Sequence, residues 1–174
     1  MKQQWIGVFT VTLVVLGLTS YSARADQDDV ISLRAPMSGF QEVTPKLTEG
    51  KGLFTATISG SSMNFELTYS GLTGNPAVAH LHFGQKGVSG AVFLFLCGGG
   101  NQPACPAATS GTIKGTASAA NVVAQSPDQG IAAGDFAAAV RAIRSGETYA
   151  NMHTAKFPAG EIRGQVRVGD GDND

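Results

Sequence analysis

His80, His82 and His153 are the chain's entire supply of imidazole. His80 and His82 stand two apart in Ala77-Val-Ala-His-Leu-His-Phe83, a run that reads as a strand. Residues i and i+2 of a strand point to one face, so the two rings project together. His153 lies in a second strand candidate, 148–154, where Tyr149, Asn151 and His153 also share a face. If the two strands are neighbours, or lie close opposite each other, three imidazoles converge. Three neutral imidazoles with a fourth position open suit a zinc ion, and imidazole suits copper equally. Tyr149 and Asn151 are placed to orient a ligating histidine from behind. Unperturbed imidazoles take protons near pH 6.5, so such a site should lose its ion below about pH 6. The competing reading makes each histidine an ordinary hydrogen-bonded residue, since His-x-His on a strand also arises by chance.

Counting narrows the chemistry. A Cu,Zn superoxide dismutase needs four imidazoles at copper and further ligands at zinc, more than three histidines supply. The His-x-His plus distant His pattern is also similar to that of α-carbonic anhydrases, but those chains are much longer and nothing else matches. Glu42 and Glu161 could pair as acid and base. Each lies beside glycine or proline in a turn, where a carboxylate equally serves backbone amides or Arg163 and stabilises the turn. No Ser/His/Asp nucleophile motif and no phosphate-cradling loop is present, and no reaction is assigned. Gly169-Asp-Gly-Asp-Asn-Asp174 resembles the opening of a calcium loop but lacks its sixth-position glycine and closing glutamate. A solvated acidic tail from about residue 169 is expected.

Cys97 and Cys105 flank Gly98-Gly-Gly-Asn-Gln-Pro-Ala104. In an oxidising compartment the expectation is a disulfide across that flexible loop, stabilising by about 2–3 kcal/mol on the chain-entropy model. Two free thiols or a soft-metal pair are the alternatives.

The elements that must carry these residues are mostly strands. Residues 30–35 read as a strand, and 52–59 and 63–69 alternate apolar and polar side chains, the mark of strands with one buried face. The short link Gly60-Ser-Ser62 makes a hairpin of the second and third. Residues 91–96 are wholly apolar, as in a strand buried on both sides. Residues 111–117 form a further strand, with Thr112 and Lys114 opposite Ile113. Asp135 can cap a helix over 136–145 that Gly146 ends. A last strand, 161–168, should turn Ile162, Gly164, Val166 and Val168 inward, and Glu161, Arg163, Gln165 and Arg167 outward. Some eight short strands at this spacing predict an all-β protein, an antiparallel sandwich or barrel, with one short helix.

The chain starts with a targeting pattern. Lys2 precedes the apolar run Ile6–Leu18, and Ala23-Arg-Ala25 provides a cleavage site. Those 13 residues fall short of the roughly 20 a membrane span needs. Residues 1–25 are therefore read as a signal peptide, and 26–174 as one exported domain, periplasmic or extracellular, with no span after cleavage. Losing Lys2 and Arg24 takes the formal charge from −1 to −3. That balance excludes binding to nucleic acid by bulk charge. With 23 glycines and only 14% charged residues, helical bundles and coiled coils are excluded too.

Four stretches together resemble the CHRD domain, named after chordin and also found in exported microbial proteins. They are Gln41-Glu-Val-Thr-Pro45, Ala79-His-Leu-His-Phe-Gly84, Gly87–Gly90 before the apolar strand, and Tyr149-Ala-Asn-Met-His-Thr154 leading to Pro158-Ala-Gly-Glu-Ile-Arg-Gly-Gln165. The resemblance runs from about Ile31 to Val168. It implies a Greek-key β-sandwich of immunoglobulin-like or Cu,Zn superoxide-dismutase-like type. In chordin these domains belong to a protein that captures a growth factor, and the microbial members have no settled activity. Thr44 departs from the family's usual proline, which affects a loop and not the fold. Two function classes follow: a module holding copper or zinc on His80, His82 and His153, with or without a redox role, or a metal-free module contacting a protein or glycan partner.

Overall fold

In the computed structural model, residues 30–124 and 127–169 are described, together with Met1. The expected signal peptide, the leader up to Asp29 and Asp170–Asp174 lie outside the described residues. Nine strands form: β1 (Ile31–Ser38), β2 (Lys51–Ser59), β3 (Ser62–Ser70), β4 (Pro76–Phe83), β5 (Ala91–Cys97), β6 (Gly111–Ala117), β7 (Thr148–Thr154), β8 (Ile162–Gln165) and β9 (Arg167–Gly169). The helix α1 (Phe136–Arg144) stands before β7. Its cap is as expected: Asp135 accepts from the Ala138 amide at 2.8 Å, satisfying a backbone donor that the first turn leaves over.

The period-two alternation produces the strands, and the buried half of each makes one core. Ile31, Leu33, Ala35 and Met37 of β1 pack with Phe54, Ala56 and Ile58 of β2 and Met63, Phe65, Leu67 and Tyr69 of β3. β5 is largely buried on both sides, from Val92 to Leu96, as its unbroken apolar run requires.

All pairings are antiparallel, in the order β5-β4-β7-β8-β1-β2-β3-β6, with β9 added on β1. Of the two architectures the strand spacing allows, a sandwich has two packed sheets; here the hydrogen bonds run as one. Its two end strands, β5 and β6, touch, and a bridge joins Leu94 to Val122. The sheet is nearly closed, and barrel-like.

The last strand departs from its expected alternation. It breaks at Val166, whose amide turns to the Thr148 carbonyl, giving β8 and β9. Ile162, Gly164 and Val166 are buried as expected, but so are Glu161 and Arg163, while Val168 is 43% exposed. The reason is local. Loops cover the outer face of β8, and β9 lies at a sheet margin where its apolar side chain finds no cover.

Candidate metal centre

The register of the sheet assembles the histidines. β4 lies directly against β7, with His82 opposite Tyr149, His80 opposite Asn151 and Val78 opposite His153. All five polar side chains therefore occupy one outer patch. The opposite sides of the same strands carry Ala79, Leu81, Ala150 and Met152, none of them exposed at all.

His80 is 4.5 Å from His82 and 4.7 Å from His153 between ring centroids, edge-on in both cases. Each of the three rings offers a nitrogen, and these nitrogens lie within 4.8 Å of one another. A shared ion at 2.0–2.1 Å calls for spacings of about 3–4 Å, so the rings must close up slightly to share one.

Main-chain carbonyls hold two of the rings. His82 Nδ1 is 2.8 Å from the Gly90 oxygen, and His153 Nδ1 is 2.9 Å from the Pro158 oxygen. A carbonyl can only accept, so in the neutral ring each Nδ1 carries the proton and Nε2 keeps a lone pair. Those two Nε2 atoms, and Nδ1 of His80, are buried with no hydrogen-bond partner. An unmet buried polar atom costs about 1–3 kcal/mol, and each of the three rings carries one. Carbonyl-backed imidazoles are also the usual outer support of metal-ligating histidines.

The electrostatics keep these rings neutral. Burial pushes His80 down to about 2, with the neighbouring His82 and His153 adding to the effect. Burial takes His82 down to about 4 against the pull of the Gly90 carbonyl, and it lowers His153 as well. Neutral imidazole is the form a metal binds.

Tyr149 supports the cluster from the side. Its ring stacks on His82 at 4.4 Å, nearly parallel, and the Arg163 guanidinium carbon lies 3.5 Å from the same ring centroid. Arg163 donates through Nη2 to the Gln85 and Val88 carbonyls, tying down the loop whose end, Gly90, holds His82. Asn151 goes elsewhere: its amide nitrogen donates to Glu42 Oε1 and to the Ile162 carbonyl, not to a histidine.

Residues 33–166 match the CHRD domain. The chain belongs to the CHRD domain family. No curated protein and no solved structure matches it. Among the described residues of this CHRD chain, no helix is long and apolar enough to cross a membrane.

The CHRD motifs acquire separate structural reasons. Glu42 and Glu161 share no partner and form no acid–base pair. Glu161 is wholly buried and accepts from Thr48 Oγ1, the Thr73 amide, Thr73 Oγ1 and Thr154 Oγ1, at 2.6–2.9 Å. Burial pushes its carboxyl up, but those donors, Thr154 first, outweigh the burial and hold it below the usual range. Glu161 thus knots two loops to β7. Glu42 has the opposite balance: burial raises it, against the Asn151 bond and the Arg163 and Lys46 charges. Gly160, at φ +120, makes room for this contact, since a Cβ there would stand 2.5 Å from Glu42 Oε1 and 2.9 Å from Asn151 Nδ2.

Cys97 and Cys105 are joined in a disulfide. The loop it closes packs so tightly on Phe95 that a Cβ on Gly99 would sit 2.6 Å from the ring. Phe95 in turn meets His80 edge-on at 5.3 Å. The supports contributed by Phe95, Gly90 and Pro158 were not legible beforehand. Two of them act through backbone oxygens, which carry no side-chain signature.

Proposed function

We propose that this CHRD domain is a metal-binding module holding a copper or zinc ion on His80, His82 and His153. One observation carries the reading: three clustered histidines each keep a buried ring nitrogen without a partner, and a carbonyl holds two of the rings by their other nitrogen. Arg163 and Tyr149 then act as positioning residues, keeping the 84–90 loop and the His82 ring in place. Glu42 and Asn151 brace the neighbouring turn. Export accords with the disulfide and the amino-terminal targeting pattern, and cleavage after Ala25 would leave a chain starting at Asp26.

The test is calorimetry of the mature, oxidised domain with zinc and with copper. One ion per chain is expected, and His82→Ala or His153→Ala should weaken uptake at least 100-fold, beyond the roughly 10–100-fold typical of outer partners. Because the folded rings resist protonation, the loss expected below about pH 6 from unperturbed imidazoles moves down: uptake should persist at pH 5 and fail toward pH 4, where His82 titrates. No stoichiometric uptake of either ion would falsify the assignment. A metal-free interaction module then becomes the better reading. It is supported by Phe40, Val43 and Leu47, exposed together on the loop after β1.

The fold has a finer reading too. With β6 against β5, strands β4, β5 and β6 are successive neighbours and β7 returns beside β4, the order of a Greek key. This supports the superoxide-dismutase-like topology without its metal ligands.

A further inference from the structure

A second site lies on the other side of β8. Arg34 of β1 stands directly opposite Arg167 of β9 in the antiparallel register. Opposed cross-strand residues hold their Cβ atoms about 4.5–5.5 Å apart, and like charges so placed are destabilising. Among the described residues neither arginine has an acidic partner, the one ion pair there being Lys114 with Glu66. Both arginines, with Lys86, line a cavity of about 480 Å³ that no acidic residue among the described ones borders. Gln41 and Gln165 add amides to its wall, and Pro36 and Val168 add apolar surface. Three cations thus gather in one concavity on a chain whose formal charge is −1.

Like charges so gathered, without an acid among the described residues, suit a negatively charged ligand. The volume falls in the range of small-ligand sites. No aromatic side chain lines the cavity, so nothing there stacks a nucleic-acid base. Forked guanidinium groups match carboxylate and sulfate oxygens, and amides beside apolar patches match the hydroxyls and ring faces of a sugar. We propose that the Arg34–Lys86–Arg167 groove binds an acidic saccharide through its carboxylate or sulfate groups. Lys86 lies on the same 84–90 loop that holds His82, but neither assignment depends on the other.

The experiment measures binding of the metal-free domain to four probes at low ionic strength: a sulfated heparin hexasaccharide, a galacturonic acid trisaccharide, neutral maltohexaose and inorganic sulfate. Gly169 is followed by Asp170, Asp172 and Asp174, carboxylates that can compete for the groove. Every titration is therefore repeated in the Asp170→Asn, Asp172→Asn, Asp174→Asn variant. The expected result is binding of one or both acidic saccharides and not of maltohexaose, weakening as salt screens the charges. Arg34→Ala with Arg167→Ala should weaken it at least tenfold, and Lys156→Ala, a surface cation elsewhere, should leave it unchanged. Arg167→Glu should abolish binding and, by relieving the repulsion, raise the ligand-free melting temperature. Three outcomes overturn the proposal: no acidic saccharide binding in either background, binding indifferent to Arg34 and Arg167, or inorganic sulfate filling the groove as tightly as the saccharides do.

Discussion

Strands β4 and β7 have two faces, both buried, by different means. On the core face Ala79, Leu81, Ala150 and Met152 are packed within the curved sheet. On the outer face His80, His82, Tyr149 and Asn151 are covered by loops, through the carbonyls of Gly90 and Pro158 and the carboxylate of Glu42. Apolar burial is favourable by itself, at about 25 cal/mol per Å². Polar burial is costly unless every group finds a partner. The core face therefore explains the fold, while the outer face, with three ring nitrogens unmet, requires a further explanation.

The largest expected effect belongs to the core. Phe65 is 5% exposed, and Phe65→Ala should lower unfolding stability by about 3–5 kcal/mol. Denaturant titration should give the same loss with or without added zinc or copper, because no ligand reaches that face. A loss below about 1 kcal/mol would show that the core does not rest on this strand's alternation.

The outer face should respond to acid instead. In the metal-free protein the folded pKa values are about 2 for His80 and about 4 for His82, both below the ordinary value. Between pH 6.5 and those values the unfolded chain takes up protons that the folded chain refuses. Stability is then complete above pH 6.5 and falls as pH drops, by roughly 2 kcal/mol for each of these two rings at pH 5. His153 adds in the same direction. Urea titrations from pH 7.5 to 4.5 test this, and the slope should largely vanish when all three histidines are replaced by phenylalanine. A flat wild-type profile would mean that the rings charge freely and are not enclosed.

How much of this was legible from residues alone follows the same division. The alternation in β2 and β3 placed Phe54, Phe65 and Leu67 inside, because apolar burial leaves a period in the sequence. The shared faces of His80 with His82, and of Tyr149 with His153, followed from the same rule. That β4 and β7 are adjacent did not follow, since strand order depends on long-range pairing. Glu161 and Arg163 were expected outside because alternation treats the far face of a strand as solvent. Loops made that face an interior: Glu161 found four donors, and Arg163 found two carbonyls and the face of Tyr149.

Glu161 provides a smaller test of polar burial fully compensated. Glu161→Ala strips the acceptor from three threonine hydroxyls and one amide, and should cost about 2–3 kcal/mol at pH 7. Its folded pKa is lowered, so the contribution is present above the unfolded value near 4.5 and disappears as pH falls through the folded one. The variant and the wild type should converge only in that acid window, which opens below the pH 6.5 at which the histidine effect sets in. Equal stabilities at pH 7 would show that the threonines find other partners.

Glu42 should give the smallest effect and the opposite sign. Burial raises its pKa, so the folded domain holds a proton that the unfolded chain releases. Its contribution is fully present below about pH 4.5 and is lost as pH rises through the folded value. Glu42→Gln removes that loss and keeps an oxygen to accept from Asn151, so it should stabilise the protein slightly at pH 7. It stands outside the trio of ring nitrogens, so metal affinity should change by less than about threefold, against the 100-fold expected for His82→Ala. Thermal melts and metal titration of this one variant check both parts. A large loss of metal affinity would place the Glu42 carboxylate among the ion's ligands and redraw the site as three imidazoles with one carboxylate. A loss of stability at neutral pH would show instead that the Glu42 negative charge, next to Arg163, is what holds the outer face together.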